Sequence, residues 1–236
     1  MSILCVIPAR GGSKGVHRKN VRAVAGKPLL VWTIEQALNA RPSLDVLVST
    51  DDDEIAEVAR GAGADVPFIR PAALALDETP TEPVVRHAIA SRVRQGRRPD
   101  AVVLLQATSP VRFPGTLDRA LEQFEASGVD SLVGVVPQPP FLWLWGDVPS
   151  AAYDPARRPR RQDLDEAAYA YRETGSLYIT RTEIYEQGGH RLGGKVGLFV
   201  MDEREGIDVD TELDLLIAEQ QLRWFQDALE AKEAEL

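Results

Sequence analysis

Two groups of residues, near opposite ends of the 236-residue chain, could do chemistry. The first lies in VIPARGGSKGVHRKN, Val6 to Asn20, which carries four Arg or Lys and no carboxylate. The first acid of the chain is Glu35, while Arg10, Lys14, Arg18, Lys19, Arg22 and Lys27 place six cations within eighteen residues. Gly11, Gly12 and Gly15 let the backbone turn sharply and offer N–H groups to an anion. With no neighbouring acid in the sequence to balance it, such a segment suits a polyphosphate. Two common phosphate loops do not fit. GGSKGV lacks the Gly-x4-Gly-Lys-Ser/Thr order, and the three glycines miss Gly-x-Gly-x-x-Gly by one position. The second group is GIDVD, which sets Asp208 and Asp210 two residues apart. On a strand that spacing puts both carboxylates on one face. Paired carboxylates beside a triphosphate are a natural seat for Mg2+, which shares itself between protein and phosphate oxygens. Asp51, Asp52 and Asp53 form a competing acidic cluster, but helix capping and the helix dipole account for them more simply.

The elements that must carry these groups can be read from apolar runs. Met1–Pro8, Leu44–Thr50, DAVVLLQATSP and DSLVGVVP read as buried strands. Pro28–Asn39, DDDEIAEVARGAG and PGTLDRALEQFEASG read as helices between them. This alternation predicts an α/β fold with three layers, a mostly parallel sheet covered by helices on both faces. Ligands in such sheets bind at the carboxyl ends of the strands, so the loops after Pro8, Thr50, Gln106 and Val136 are the candidate site. The rhythm breaks over residues 137–174, rich in Pro, aromatics and Arg, which reads as an insertion or dimerisation subdomain within a single domain spanning 1–236. SLYIT, KVGLFVM and GIDVD read as late strands. Thr211–Leu236 reads as a terminal helix, amphipathic through Leu213, Leu216, Ile217 and Leu222.

Composition narrows the class. A formal net charge of −9 argues against a nucleic-acid binder. One cysteine, Cys5, excludes an internal disulfide and a cysteine metal cluster. No apolar run approaches the ~18–20 residues that span a bilayer, and MSILCVIPAR is too short for a signal peptide. A cytoplasmic protein is expected. Gln106, polar after four apolar strand residues, should point into the crevice. Arg157, Arg158, Arg160 and Arg161 suit a bidentate clamp on a carboxylate. The run FLWLW, Phe141 to Trp145, reads as core or subunit contact, with an aromatic lid over a ligand as the alternative.

IPARGGSKGVHRKN followed by GKPLLVWTIEQAL closely resembles the opening of the CMP-sialic acid synthetase family, the acylneuraminate and nonulosonic acid cytidylyltransferases. The resemblance continues through VSTDDDEIAEVARGAGADVPFIRPAALA, LLQATSP, PRRQDL and GIDVDTELDL, in the family's order over nearly the whole chain. It implies a fold of the nucleotidyltransferase type, a homodimer, and transfer of CMP from CTP to the anomeric hydroxyl of a 2-keto sugar acid with release of pyrophosphate. By that resemblance Arg10, Lys14, Asp208 and Asp210 are catalytic, and the two aspartates hold Mg2+. Ala9, Arg10, Gly11, Gly12, Lys14, Lys19, Asn20, Arg70, Thr79 and Thr81 contact the nucleotide. Gln106, Arg161, Gln162, Arg172 and Thr174 bind the sugar acid. The chain departs from the family pattern at Ala107, commonly proline, and at Thr174, commonly asparagine before Gly175. Legionaminic, pseudaminic or phosphonate acceptors remain open, as does a nucleotide-binding module without catalysis.

Overall fold

The computed structural model describes residues 1–12, 15–164 and 169–234, with the backbone alone for 227–234. Ten strands run β1 (Ile3–Pro8), β2 (Ala23–Val24), β3 (Lys27–Pro28), β4 (Asp45–Ser49), β5 (Ala101–Leu104), β6 (Ser131–Gln138), β7 (Trp143–Leu144), β8 (Ser150–Ala151), β9 (Ala170–Arg181) and β10 (Val196–Val200). Six helices lie among them: α1 (Leu29–Leu38), α2 (Asp53–Gly61), α3 (Thr81–Arg94), α4 (Thr116–Ser127), α5 (Thr182–Gln187) and α6 (Glu212–Ala234). Six strands form one sheet in the order β10-β6-β9-β5-β1-β4. β9 is antiparallel to β5 and β6, and the remaining pairs are parallel.

The strands are apolar on both sides because both sides are covered. Successive side chains alternate between faces. Cys5 and Ile7 of β1, Val46 and Val48 of β4, and Val103 of β5 pack with Leu30 and Ile34 of α1, Ile55 of α2 and Phe124 of α4. Leu4 and Val6, Leu47, and Val102 and Leu104 pack on the other face with Val85 and Ile89 of α3 and Tyr185 of α5. The expected α/β fold with helices on both faces is the one observed.

A third apolar cluster joins the ends of the chain. Val16, Val24, Leu29 and Trp32 pack against Val111, Val209 and the α6 residues Leu215, Ala218 and Leu222. The face of α6 therefore differs from expectation. Leu213, Leu216 and Ile217 are exposed, and the buried stripe runs through Leu215, Ala218 and Leu222. A small alanine in the seam shifted the apparent apolar face.

Two further expectations need correction. Residues 81–94 form α3, a helix the apolar pattern does not announce, because its buried face includes Ser91 and Arg92. Arg92 is sealed there by ion pairs to Asp45 and Asp65 at 2.7 and 2.8 Å. GIDVD is not a strand. Residues 203–206 form a 3-10 turn closed by a capping box between Asp202 and Glu205, and α6 starts at Glu212. The few residues between pair with no strand, and Val209 N–H donates instead to Thr108 O at 2.8 Å. The 137–174 segment begins inside β6 and ends inside β9. Between them β7 and β8 form a small hairpin on which Trp143, Leu144 and Trp145 are exposed, Trp145 at 95%. Within FLWLW, Phe141 is partly covered by Tyr153 and Arg158, while residues 142–145 are exposed. Among the described residues, no helix is long and apolar enough to cross a membrane.

The third cluster carries a stability prediction. Leu222→Ala removes a buried side chain from the α1–α6 seam and should cost about 3 kcal/mol in urea unfolding. Leu216→Ala, on the exposed side of the same helix, should stay within about 0.5 kcal/mol.

Candidate active site

A cavity of about 370 Å³ opens above the carboxyl ends of β1 and β5, lined by residues from both ends of the sequence. Arg10, Gly12, Lys19, Asn20, Arg70, Thr79, Thr81, Gln106 and Asp210 all face it. Ala9 and Gly11 form the wall behind. Ala9 is buried, with its N–H on Ser49 O at 3.0 Å, and Gly11 N–H donates to Asp51 Oδ1 at 3.1 Å. Lys14 lies outside the described residues.

The two chemical clusters do converge. Lys19 is buried, and its ammonium donates to Val209 O and sits 3.3 Å from Asp210 Oδ1. Gly15 passes so near the Asp210 carbonyl that a Cβ there would overlap it. Asn20 Nδ2 donates to Arg10 O at 2.9 Å, fixing the backbone from which Arg10 projects. Arg10 then reaches Asp77 at 2.7 Å and Leu76 O at 3.4 Å.

The basic segment is not unbalanced in space. Arg18 pairs with Asp52 and Glu54, Arg22 with Glu212, and Lys27 with Glu35. Every described member of the six cations faces a carboxylate brought in from elsewhere, which corrects the impression given by the sequence. Arg18, Arg22 and Lys27 strap the loop to α2, α6 and α1, leaving Arg10 and Lys19 at the cavity. The capping reading of the acidic triplet holds for Asp52, which accepts from Ile55 N–H at 3.0 Å as the α2 N-cap. Arg70 forms a cationic floor. It is buried, and it donates to the side chain and carbonyl of Ser49. Burial lowers its pKa to about 10, with Asp51 opposing the shift, so it stays charged at neutral pH.

A second cavity, about 460 Å³, lies beside the β6–β9 pair and is lined by Gln138, Arg161, Tyr169, Arg172 and Glu203, among others. The two arginines expected to hold a sugar acid therefore meet. Gln106 lines the first cavity instead, and Gln162 is exposed and lines neither. Thr174 lines neither cavity. It is buried in β9, its hydroxyl donating to Gly134 O at 3.1 Å and accepting from Ser176 N–H at 3.1 Å. Its hydroxyl proton and one lone pair are thus used inside the sheet.

Val209 is buried, and the flanking carboxylates turn elsewhere. Asp208 accepts from Ser109 Oγ at 3.4 Å, and Asp210 lies at the cavity with Lys19. Asp210 at the cavity, with Asp208 two residues away, is a donor set that fits Mg2+, which binds one or two protein carboxylates and completes its shell with water and phosphate. Among the described residues no three His, Cys, Asp or Glu side chains gather into a closed cage. The sequence reading missed Asp77, Tyr169 and Glu203 at the cavities, and Arg112 beneath them. Arg112 left one signal, a lone cation in the apolar run after LLQATSP.

A mostly parallel sheet with its cleft at the strand ends, where Arg10 and Lys19 sit beside Asp77 and Asp210, fits a nucleotidyltransferase-type fold. A family model described as cytidylyltransferase matches residues 4–231. The chain belongs to the cytidylyltransferase family. It is 36% identical over 229 residues to N-acylneuraminate cytidylyltransferase A of Danio rerio, covering 94% of this chain and 51% of that protein. It is 35% identical over 236 residues to CMP-N,N'-diacetyllegionaminic acid synthase of Legionella pneumophila, covering 97% of this chain and 100% of that protein. The chain thus spans about half the length of the fish protein and the whole of the bacterial one. In fold it resembles a solved CMP:2-keto-3-deoxy-manno-octonic acid synthetase complexed with CTP, with a TM-score of 0.66 at 20% identity over 99% of this chain and 100% of that one.

Asp52 supplies a pH prediction. The Arg18 guanidinium, followed by the Ile55 N–H, holds its carboxyl below the ordinary value. A depressed folded-state pKa stabilises the fold above the unfolded value, about pH 4, and that contribution fades as pH falls through the folded value. Asp52→Ala should cost about 1–2 kcal/mol near pH 7, mostly the lost cap because the ion pair is partly solvated. In chemical unfolding followed from neutral to acid pH, the gap between variant and parent should narrow below about pH 4.

Proposed function

We propose that this chain transfers CMP from CTP to the anomeric hydroxyl of a 2-keto sugar acid of the sialic or related nonulosonic type. The observation that carries the reading is the meeting of Arg10, Lys19 and Arg70 with Asp210, Thr79 and Thr81 around one cavity, beside a second holding Arg161 and Arg172. The hydroxyl oxygen attacks the α-phosphorus in line. A new P–O bond forms, the bond to the bridging oxygen of the β-phosphate breaks, and the hydroxyl proton is lost. Arg10 and Arg70 offer fixed positive charge to the triphosphate and to the departing pyrophosphate, which needs positioning and electrostatic support more than covalent help. Lys14 belongs with them by its place in the loop. Asp208 and Asp210 would hold Mg2+, which when bound neutralises phosphate charge. Thr79 and Thr81, at the start of α3, border the space for the base.

Arg161 and Arg172 bind and orient the acceptor carboxylate, and Gln106 stands at the edge between nucleotide and acceptor. Glu203 on the same rim opposes a doubly charged phosphonate, so a singly charged sugar acid is the better match. The exposed Trp143, Leu144 and Trp145 fit a homodimer made through the 137–174 subdomain. A cytoplasmic location agrees with the use of CTP.

The test is pyrophosphate release from CTP and Mg2+ across a panel of sialic, legionaminic and pseudaminic acids and phosphonates. Release with a nine-carbon acid is expected, and none with any acid would defeat the reading. Asp210→Ala should lower kcat by about 100-fold or more. Arg10→Ala should weaken CTP by about 10- to 100-fold, the worth of charge-assisted hydrogen bonds, and Lys14→Ala should harm turnover more than folding.

A further inference from the structure

We infer that Arg112, which lies under the cleft and touches neither cavity, is a positioning residue that sets the relation of Gln106 to the β9 bend at Gly175. This rests on the reading that Gln106 and β9 serve the acceptor.

Arg112 is 5% exposed, yet its charge is met by carbonyls rather than by an acid. One terminal nitrogen donates to Ser176 O at 2.6 Å and to Gln106 O at 3.3 Å. The other donates to Gln36 Oε1 at 2.8 Å and to Thr33 Oγ1 at 3.3 Å, both on α1. Nε has no hydrogen-bond partner among the described residues. Glu205 is the carboxylate that acts on it electrostatically, but Glu205 accepts from Phe113 N–H at 2.7 Å, Thr116 Oγ1 at 2.6 Å and Asp202 N–H at 3.1 Å. Cys5, also nearby, is buried with its thiol pushed up to about 12 and so uncharged at neutral pH.

A buried guanidinium without an ion pair is costly, and apolar replacements of buried charges are often neutral or stabilising. Its placement explains what it does. Gln106 ends the strand β5 side of the cleft, and Ser176 lies in the neighbouring strand β9. One guanidinium holds both carbonyls and anchors them to α1, whose Gln36 in turn donates to Pro110 O at 2.9 Å. Between the held carbonyls lies Gly175, at φ +70°, where a Cβ would come 2.5 Å from Gln106 Oε1. The Gln106 side chain thus rests directly on a bend whose distance from it Arg112 fixes. The branched, planar fork matters here, because a lysine ammonium cannot span the two carbonyls and α1 in one plane.

The experiment uses Arg112→Met and Arg112→Lys in the full chain. Each is assayed for KM of CTP, KM of the acceptor, kcat and thermal midpoint, and its crystal structure is determined. The acceptor KM should rise at least about ten-fold in both variants while the CTP KM changes less than about three-fold, and Lys should not rescue it. The crystal structures should show Gln106 and Gly175 displaced relative to each other. Equal changes in both KM values, rescue by Lys, or an unmoved Gln106–Gly175 pair in a folded variant would overturn the inference. Should Met prevent folding, Lys carries the test. Should the parent chain release no pyrophosphate with any acid, the reading of function falls, and the displacement alone then decides the role of Arg112.

Discussion

Val209 is held from three directions, and the site depends on it. Its side chain is buried with Val16, Leu29 and Leu222, its N–H donates to Thr108 O, and its carbonyl accepts from Lys19. With Val209 fixed, Asp210 is presented at the cavity beside Lys19 and Asp208 faces Ser109. Burying one valine is worth roughly 1.5–3 kcal/mol, more than an exposed ion pair supplies at about 0–1 kcal/mol. The apolar contact positions Asp210, and the charges paired there stand where a ligand would meet them.

The basic loop follows the same division. Arg18, Arg22 and Lys27 hold their carboxylates at the protein's surface and fix the loop's path. Arg10 and Lys19 hold theirs where an incoming polyanion would meet both members of each pair. An acidic protein can thus keep a cationic pocket without a basic face. The potential is local, and Arg70 beneath it is too buried to be screened by salt.

The layers of the fold were legible because parallel strands covered on both faces are written as unbroken apolar runs, and each run ended where a site loop began. Two cavity residues were legible because they follow strands, Arg10 after β1 and Gln106 after β5. The rest was hidden where polar residues do structural work. The α3 helix escaped notice because Arg92 occupies a core position that only folded-in acids make tolerable. The α6 face was misread because Ala218 packs as tightly as a leucine would elsewhere. Thr174 looked like a ligand residue, but the nearby carbonyl of Gly134, on a strand far away in sequence, takes its hydroxyl. In each case the deciding partner is distant along the chain, and no local pattern records it.

The placement of β9 also orders assembly in time. Among the described residues it is the one strand hydrogen-bonded to both the β4-β1-β5 part of the sheet and the β6-β10 part. During synthesis the first half can pair as soon as residue 104 has emerged, but the halves cannot be stitched together until residue 181 has followed. A nascent chain stalled between those points leaves the edge of β5 without the partner that β9 will supply.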